Sequence, residues 1–169
     1  AKSNRKMTSR LQARAPSNME SGWQAVAAPE FFRQSVAWGL DLPHCRALGL
    51  QFVEAQRGVA TLCLPFRPEL IGDPQTHVLH AGVATTLADS SGALSIYTLL
   101  SEPESVATLD LRIDYLRPGA PDLPLYCHSE CYRLTSQIAF TRSTLYQSGP
   151  EKPVAHAVAT YMRSGGGSH

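Results

Sequence analysis

Residues 77–100 read HVLHAGVATTLADSSGALSIYTLL. The spacing predicts one long helix, small or apolar on nearly every side. Between Asp73 and Glu102 it carries one formal charge, Asp89. A helix that is hydrophobic all round belongs in a core. An ionised carboxylate in a core is costly unless it is paired or solvated. Asp89 is therefore out of place for packing alone, which makes it the first candidate for chemistry.

On either side of this helix the sequence turns to period-two patterns. Downstream, Ser101-Glu102-Pro103-Glu104 breaks the helix. In 105–117, Ala107, Leu109, Leu111, Ile113 and Tyr115 alternate with Thr108, Asp110, Arg112 and Asp114, which predicts a half-buried strand. Three further strands are predicted at 123–134, 137–147 and 153–163, joined by Thr135-Ser136 and Ser148-Gly149-Pro150. Upstream, 48–56 and 59–66 read as a hairpin turning at Gln56-Arg57-Gly58. Residues 67–79 read as a proline-rich loop. Pro29 followed by EFFRQSVAWGL predicts a first helix, with Phe32, Val36 and Leu40 on one stripe and Pro43 barring extension. Helices and strands do not alternate, and the strand links are short. The fold class is therefore α+β, with an antiparallel sheet covering one helix.

Composition narrows the function. The chain has 169 residues, 43% hydrophobic and 17% charged, which are values for one globular domain. Residues 23–163 are expected to form it. Residues 1–22 carry Lys2, Arg5, Lys6, Arg10 and Arg14 with no acid before Glu20, and are expected to be a disordered basic leader. Residues 164–169, SGGGSH, read as linker or tag. A net charge of +1 gives no reason to expect nucleic acid. No uninterrupted apolar run of about 18 residues predicts a membrane span, and no secretory signal pattern is seen. Cys45, Cys63, Cys127 and Cys131 form no CxxC pair. They read as reduced core residues in a cytoplasmic protein, with no metal site expected.

The helix N-terminus is the second candidate. His80-Ala81-Gly82 introduces the helix with small residues. Its first turn has unpaired N–H groups and the positive end of the helix dipole, which suit a developing oxyanion. Nine residues along a helix span about 13 Å, so one reacting carbon does not touch both Asp89 and these amides of the same helix. If both serve one reaction, they come from two copies, with helices antiparallel across a twofold axis. The alternative is an Asp89 paired with Arg, or capped by Ser90, Ser91 or Thr85, purely to specify the core.

His80-Ala81-Gly82-x4-Leu87-Ala88-Asp89 resembles the H-G-G-x4-L-A-D segment of hotdog-fold acyl-CoA thioesterases of the phenylacetic-acid (PaaI-like) type. The run Thr108 to Pro118 resembles the strand ending Y-L-R-P in that family. The resemblance covers roughly residues 45–163. It implies a curved antiparallel sheet of five to six strands around the helix, in a homodimer and often a homotetramer. The active sites would lie at the dimer interface. It implies that Asp89 is general base or nucleophile, that Ala81 and Gly82 amides form the oxyanion hole, and that Thr108 orients the water. His80 would be a positioning residue. Arg112 and Arg117 are candidates for coenzyme A phosphates. The substrate would be an acyl-CoA, with no metal or redox cofactor. Two positions depart from the pattern: Ala81 replaces the first glycine, and Pro74 stands where relatives carry Asn or Gln, leaving Gln75 or Asp73 as substitutes on that loop. A non-catalytic acyl-CoA-binding hotdog and a hotdog dehydratase or hydratase are the alternatives.

Overall fold

The computed structural model describes residues 26–164. The expected basic leader, residues 1–22, lies outside the described residues. Of the expected linker only Ser164 is described, and it exchanges two hydrogen bonds with Ser105.

Helix α1 is Pro29–Asp41 and helix α2 is Pro43–Leu48. Strands β1, Gln51–Gln56, and β2, Val59–Leu64, form the hairpin. A 3-10 turn at Pro68–Leu70 leads into two short strands, β3, Ile71–Asp73, and β4, Val78–Leu79. The central helix α3 is Ala81–Tyr97. Strands β5, Val106–Tyr115, β6, Leu125–Leu134, β7, Ile138–Tyr146, and β8, Pro153–Arg163, complete the described chain.

The six long strands form one antiparallel sheet in the order β1-β2-β6-β7-β8-β5. The strand after the helix thus crosses to the far edge, and α3 lies across the sheet. The hairpin turns at Gly58, whose φ of 79° is left-handed and suits glycine. Its N–H donates to Thr98 Oγ1 at 2.7 Å. Ser91 Oγ donates to the carbonyls of Ala60 and Cys127 at 3.2 and 3.0 Å, tying the helix to β2 and β6. Leu62, Leu64, Leu87, Leu145 and Phe32 are fully buried between the layers. The α1 stripe behaves as its spacing predicts: Phe32 and Val36 are buried, and Leu40 packs against the core. All four cysteines are free and buried.

Three elements differ from expectation. Helix α3 begins at Ala81 rather than 77, because Val78 and Leu79 pair with Asp73 and Ile71 as a small ribbon. The loop 67–79 is thus partly ordered as strand. Leu48 ends a helix rather than starting a strand: α2 has proline at its first turn and closes on Gly49, φ 73°, in a left-handed cap. The third difference is that α3 is not buried all round. The sheet covers Val83, Leu87, Ala88, Ser91, Leu94 and Ser95, while Gly82, Thr86, Asp89 and Ala93 form a stripe open to solvent to varying degrees. One curved sheet reaches round only part of a helix.

Candidate active site

The start of α3 is capped by the residue before it. His80 is the N-cap, and its Nδ1 accepts the Gly82 N–H at 2.9 Å. That bond leaves Nε2 as the protonated nitrogen of a neutral ring. It also uses the Gly82 amide. The Ala81 N–H has no hydrogen-bond partner among the described residues. From β5, the Tyr115 hydroxyl donates to the Ala81 carbonyl at 2.7 Å. Behind His80 the chain is closely packed: a Cβ on Gly72 would lie 2.8 Å from His80 Cα. The backbone of β3 is thereby pressed against the helix start.

Asp89 lies two turns along, half-buried on the open stripe. Thr108 Oγ1 donates to Asp89 Oδ1 at 2.7 Å. The pairing depends on a bulge. Unbroken alternation along β5 puts Thr108 on the face away from the helix, opposite to Leu111, Ile113 and Tyr115. The register against β8 shifts between Thr108 and Asp110, so that Thr108 faces Tyr161 and Leu111 faces Ala159. The extra residue is Leu109, which is 55% exposed. A bulge reverses the phase of a strand, and here it turns Thr108 toward Asp89 while keeping Leu111 and Ile113 on the core. Strand β5 therefore holds α3 at two points, Tyr115 on the helix start and Thr108 on the carboxylate.

A second strand supports the same turn. Tyr161 of β8 is 1% exposed, and its hydroxyl donates to the Asp89 backbone carbonyl at 3.0 Å. Burial, with the nearby Asp89 charge adding to it, holds its phenol protonated far above the usual range. The hydroxyl reaches the helix because residue 92 is glycine: a Cβ there would lie 2.3 Å from it. Helix α2 approaches from the other side, with His44 Nε2 and Thr86 Oγ1 3.2 Å apart and Cys45 Sγ 3.9 Å from Ser90 Oγ.

Sequence reasoning did not single out Tyr161, Gly92 or the Tyr115 hydroxyl. Gly92 carried a readable signal, since glycine inside a helix costs about 1 kcal/mol relative to alanine and calls for a packing reason.

The remaining candidates are dispersed. Asp73 closes a turn, accepting from the Gln75 N–H at 2.9 Å and Thr76 Oγ1 at 3.0 Å. Those bonds hold its carboxyl below the usual carboxylate range, the Gln75 amide contributing most. Gln75 is exposed at the tip of the same turn. Arg112 points away from the helix, between core-facing Leu111 and Ile113, and pairs with Asp114 at 2.7 Å. Arg117 donates to the carbonyls of Pro153 and Lys152. It lines a cavity of about 370 Å³ that His80 and Ala81 also border. Trp38 is 63% exposed, whereas Phe32 and Leu100 are core. Within one protomer, Asp89 meets Thr108, and His80 meets Gly82. Asp89 and Ala81 stand eight residues apart on one helix, about 12 Å.

Comparison with known proteins places this arrangement. A sequence model of the thioesterase superfamily matches residues 76–154. The chain is 29% identical over 134 residues to the medium/long-chain acyl-CoA thioesterase YigI of Salmonella typhimurium strain LT2, covering 72% of this chain and 85% of YigI. A crystal structure of a Pseudomonas aeruginosa protein is 40% identical with a TM-score of 0.70, covering 79% of this chain and 97% of that one. A mutant of the phenylacetic acid degradation protein PaaI from Thermus thermophilus is 27% identical with a TM-score of 0.61, covering 72% and 98%. The helix wrapped by an antiparallel sheet, the matched span and these relatives agree: the chain belongs to the thioesterase superfamily, as a PaaI-like hotdog protein and a thioester hydrolase.

Proposed function

We propose that the protein hydrolyses acyl-CoA thioesters to free acid and coenzyme A, with Asp89 as the catalytic carboxylate. The observation that carries this reading is the Thr108–Asp89 hydrogen bond at 2.7 Å, made through a strand bulge on the open stripe of the helix. No cation pairs with Asp89 among the described residues, so the carboxylate keeps an oxygen for a proton or a carbon. The name of the YigI relative supports acyl-CoA as the substrate class.

The site is completed by a second copy. The edge strand β5 borders the open stripe, and the Ala81 N–H is too far from Asp89 of its own helix. Two chains related by a twofold axis, with α3 helices antiparallel, bring Ala81 of one toward Asp89 of the other and create two equivalent sites. The Ala81 amide then polarises the thioester carbonyl and holds the oxyanion. As general base, Asp89 takes a proton from water while the oxygen adds to the carbonyl carbon. Collapse of the intermediate breaks the carbon–sulfur bond, and the leaving thiolate receives the proton from Asp89. As nucleophile, a carboxylate oxygen adds instead, the carbon–sulfur bond breaks to release the coenzyme A thiolate, and water opens the resulting mixed anhydride to free acid and the Asp89 carboxylate, giving up a proton to the thiolate. Thr108 orients the carboxylate in either route, and His80 positions the oxyanion amide by capping the helix. A homotetramer is a further pairing of such dimers that repeats the same sites. Four free cysteines fit a reducing cytoplasm.

The test is thiol release from a panel of acyl-CoAs, short aliphatic to long and aryl, for the parent and Asp89→Asn. Turnover that falls by about a hundredfold or more in the variant, while acyl-CoA binding persists, is the expected result. Unchanged turnover in Asp89→Asn refutes the mechanism. Label in Asp89 after a single turnover in heavy-oxygen water establishes the nucleophilic route, with water opening the anhydride at the Asp89 carbonyl carbon.

A further inference from the structure

Backbone strain is concentrated at one contact. His77, φ 55°, and Asp122, φ 57°, are the two non-glycine residues with left-handed backbone among the described residues. They are 45 positions apart in sequence, and they touch each other. His77 Nδ1 lies 3.2 Å from Asp122 Oδ1. The carboxylate only accepts, so Nδ1 carries the proton. The Asp122 N–H donates in turn to the His77 carbonyl at 3.4 Å. Strained residues persist where their surroundings hold them, and here each holds the other.

The two sides of the contact are anchored unequally. Gln147 accepts from the Ala120 N–H at 2.6 Å and donates to the Ala120 and Leu123 carbonyls at 3.1 and 3.3 Å. Asp122 thus stands on a pinned loop. His77 stands on a loose one: residues 72–77 are all exposed, and the ribbon beneath pairs at Ile71–Leu79 and Asp73–Val78 with an irregularity between them. Few buried contacts and exposed backbone bonds mark a segment of low local stability. Val78 and Leu79 of the loose segment and Arg117, Pro118 and Gly119 of the pinned one line the same cavity beside the helix start. The contact therefore joins two walls of one cavity. Its side chains are 54% and 60% exposed, and such a pair contributes little in water. Two left-handed residues cost about as much as the tie contributes, so the closed form is only slightly favoured.

We propose that residues 72–79 are a flap, fastened to Asp122 through His77, that opens and closes this cavity by release of the one contact. The base of the flap is fixed to the start of α3: the His80 N–H donates to the Leu70 carbonyl at 2.8 Å, and Gly72 packs on His80. The tip therefore swings while the helix cap stays in place. That the flap admits the substrate rests on the thioesterase reading; that it opens does not.

The test is amide hydrogen exchange, resolved by residue, in the parent, His77→Ala, Asp122→Ala and the double variant. Both positions are exposed, so the variants are expected to fold and to keep the parent Tm. The Thr76 and His77 amides are held by the Asp73 carbonyl. In Asp122→Ala they are expected to exchange about three- to tenfold faster, while the Ala120 amide, held by Gln147, keeps its parent rate. In His77→Ala the Thr76 amide speeds up by the same factor, and the double variant goes no further, because all three lose one contact. Parent rates at Thr76 and His77 in Asp122→Ala, or single effects that add in the double variant, overturn the flap. Stopped-flow binding of an acyl-CoA to Asp89→Asn, with and without Asp122→Ala, tests the gating. Association and dissociation are expected to quicken together by about that same factor with Kd nearly unchanged, since a gate scales entry and exit alike. Unchanged rates overturn the gate. Exchange as expected in a protein that binds and cleaves no acyl-CoA sinks the hydrolase reading alone. Asp89-dependent thiol release with flap amides indifferent to Asp122 sinks the flap alone.

Discussion

Replacing Gly92 by alanine in a helix interior normally stabilises by about 1 kcal/mol. Here it should destabilise. The added Cβ would lie 2.3 Å from the Tyr161 hydroxyl and 3.2 Å from both Tyr161 Cζ and Thr141 Oγ1. Tyr161 is buried and has nowhere to retreat, so overpacking costs roughly 1–3 kcal/mol. Moving the ring also breaks the hydroxyl's bond to the Asp89 carbonyl, about 1 kcal/mol. Set against the propensity gain, the net loss is about 1–3 kcal/mol. Tyr161→Phe removes the oxygen that the Cβ would strike. Alone it costs about 1 kcal/mol for the lost hydrogen bond. In its background, Gly92→Ala meets only the ring carbon and Thr141 Oγ1, both at 3.2 Å, and the helix gain offsets most of those contacts. The two changes should therefore couple by roughly 1–3 kcal/mol, as expected for residues in contact. Urea unfolding of the parent, both single variants and the double variant, with equal m values, measures the cycle. If Gly92→Ala costs the same with and without the Tyr161 hydroxyl, the close approach does not explain the glycine. The support attributed to β8 beneath Asp89 then falls with it.

The same geometry sets three further outcomes. Thr108→Val keeps a β-branched residue in the strand but removes the bond to Asp89; a charge-assisted bond of about 1.5–3 kcal/mol predicts thiol release roughly 10- to 100-fold slower in kcat with KM little changed, and Thr108→Ser should restore it. His80→Ala deletes the helix cap, about 1 kcal/mol, and should lower Tm by about 2–4 °C while slowing thiol release, with His80→Asn recovering the Tm in differential scanning calorimetry. Burial raises the Cys127 thiol to about 11 against an ordinary value near 8.5. The folded state therefore holds a proton that the unfolded state releases, so the stability this thiol protects is full below about pH 8.5 and is lost as pH rises toward 11. The alkaline fall in unfolding free energy should be shallower in Cys127→Ala by about 2–3 kcal/mol over that interval.

Much of the fold is legible in the sequence because the decisive features are local. The α1 stripe, the Gly58 turn and the β6–β8 limits need only periodicity and turn residues. The features that escape such a reading depend on partners remote in sequence. Nothing in Val78-Leu79 distinguishes a helix start from a strand; pairing with Ile71 and Asp73 decides it. The signal for α2, proline at its first turn and Gly49 after its last, is present but is outweighed by the alternation of Leu48, Leu50 and Phe52. The β5 bulge is hidden by Leu109, an apolar residue that continues the alternation on paper while standing out of the sheet in space. Hence the spacing puts Thr108 on the wrong face, and only the resemblance puts it beside Asp89. The exposure of Asp89 is hidden for a related reason. A sequence shows that a helix is apolar, but not how far a single sheet reaches round it.

The open stripe has one more implication for the proposed dimer. Placing Ala81 of one helix opposite Asp89 of its antiparallel copy fixes the register completely, because opposed residue numbers must share a constant sum. The residue opposite itself is then Thr85, midway between the two. Gly82 and Thr86 flank that point on the open face, whereas Ala84 and Ala88 are buried in the core. The exposed or half-buried residues between Ala81 and Asp89, namely Gly82, Thr85 and Thr86, are small and uncharged, which is what close approach of two helix backbones needs. Thr85 is exposed in the protomer, and a charged residue there would meet its own copy across the axis, where like charges repel. A packing-only helix would use the large aliphatic side chains that cover surface most effectively. This one keeps glycine and threonine on its open face, a choice for which the proposed dimer register gives a reason.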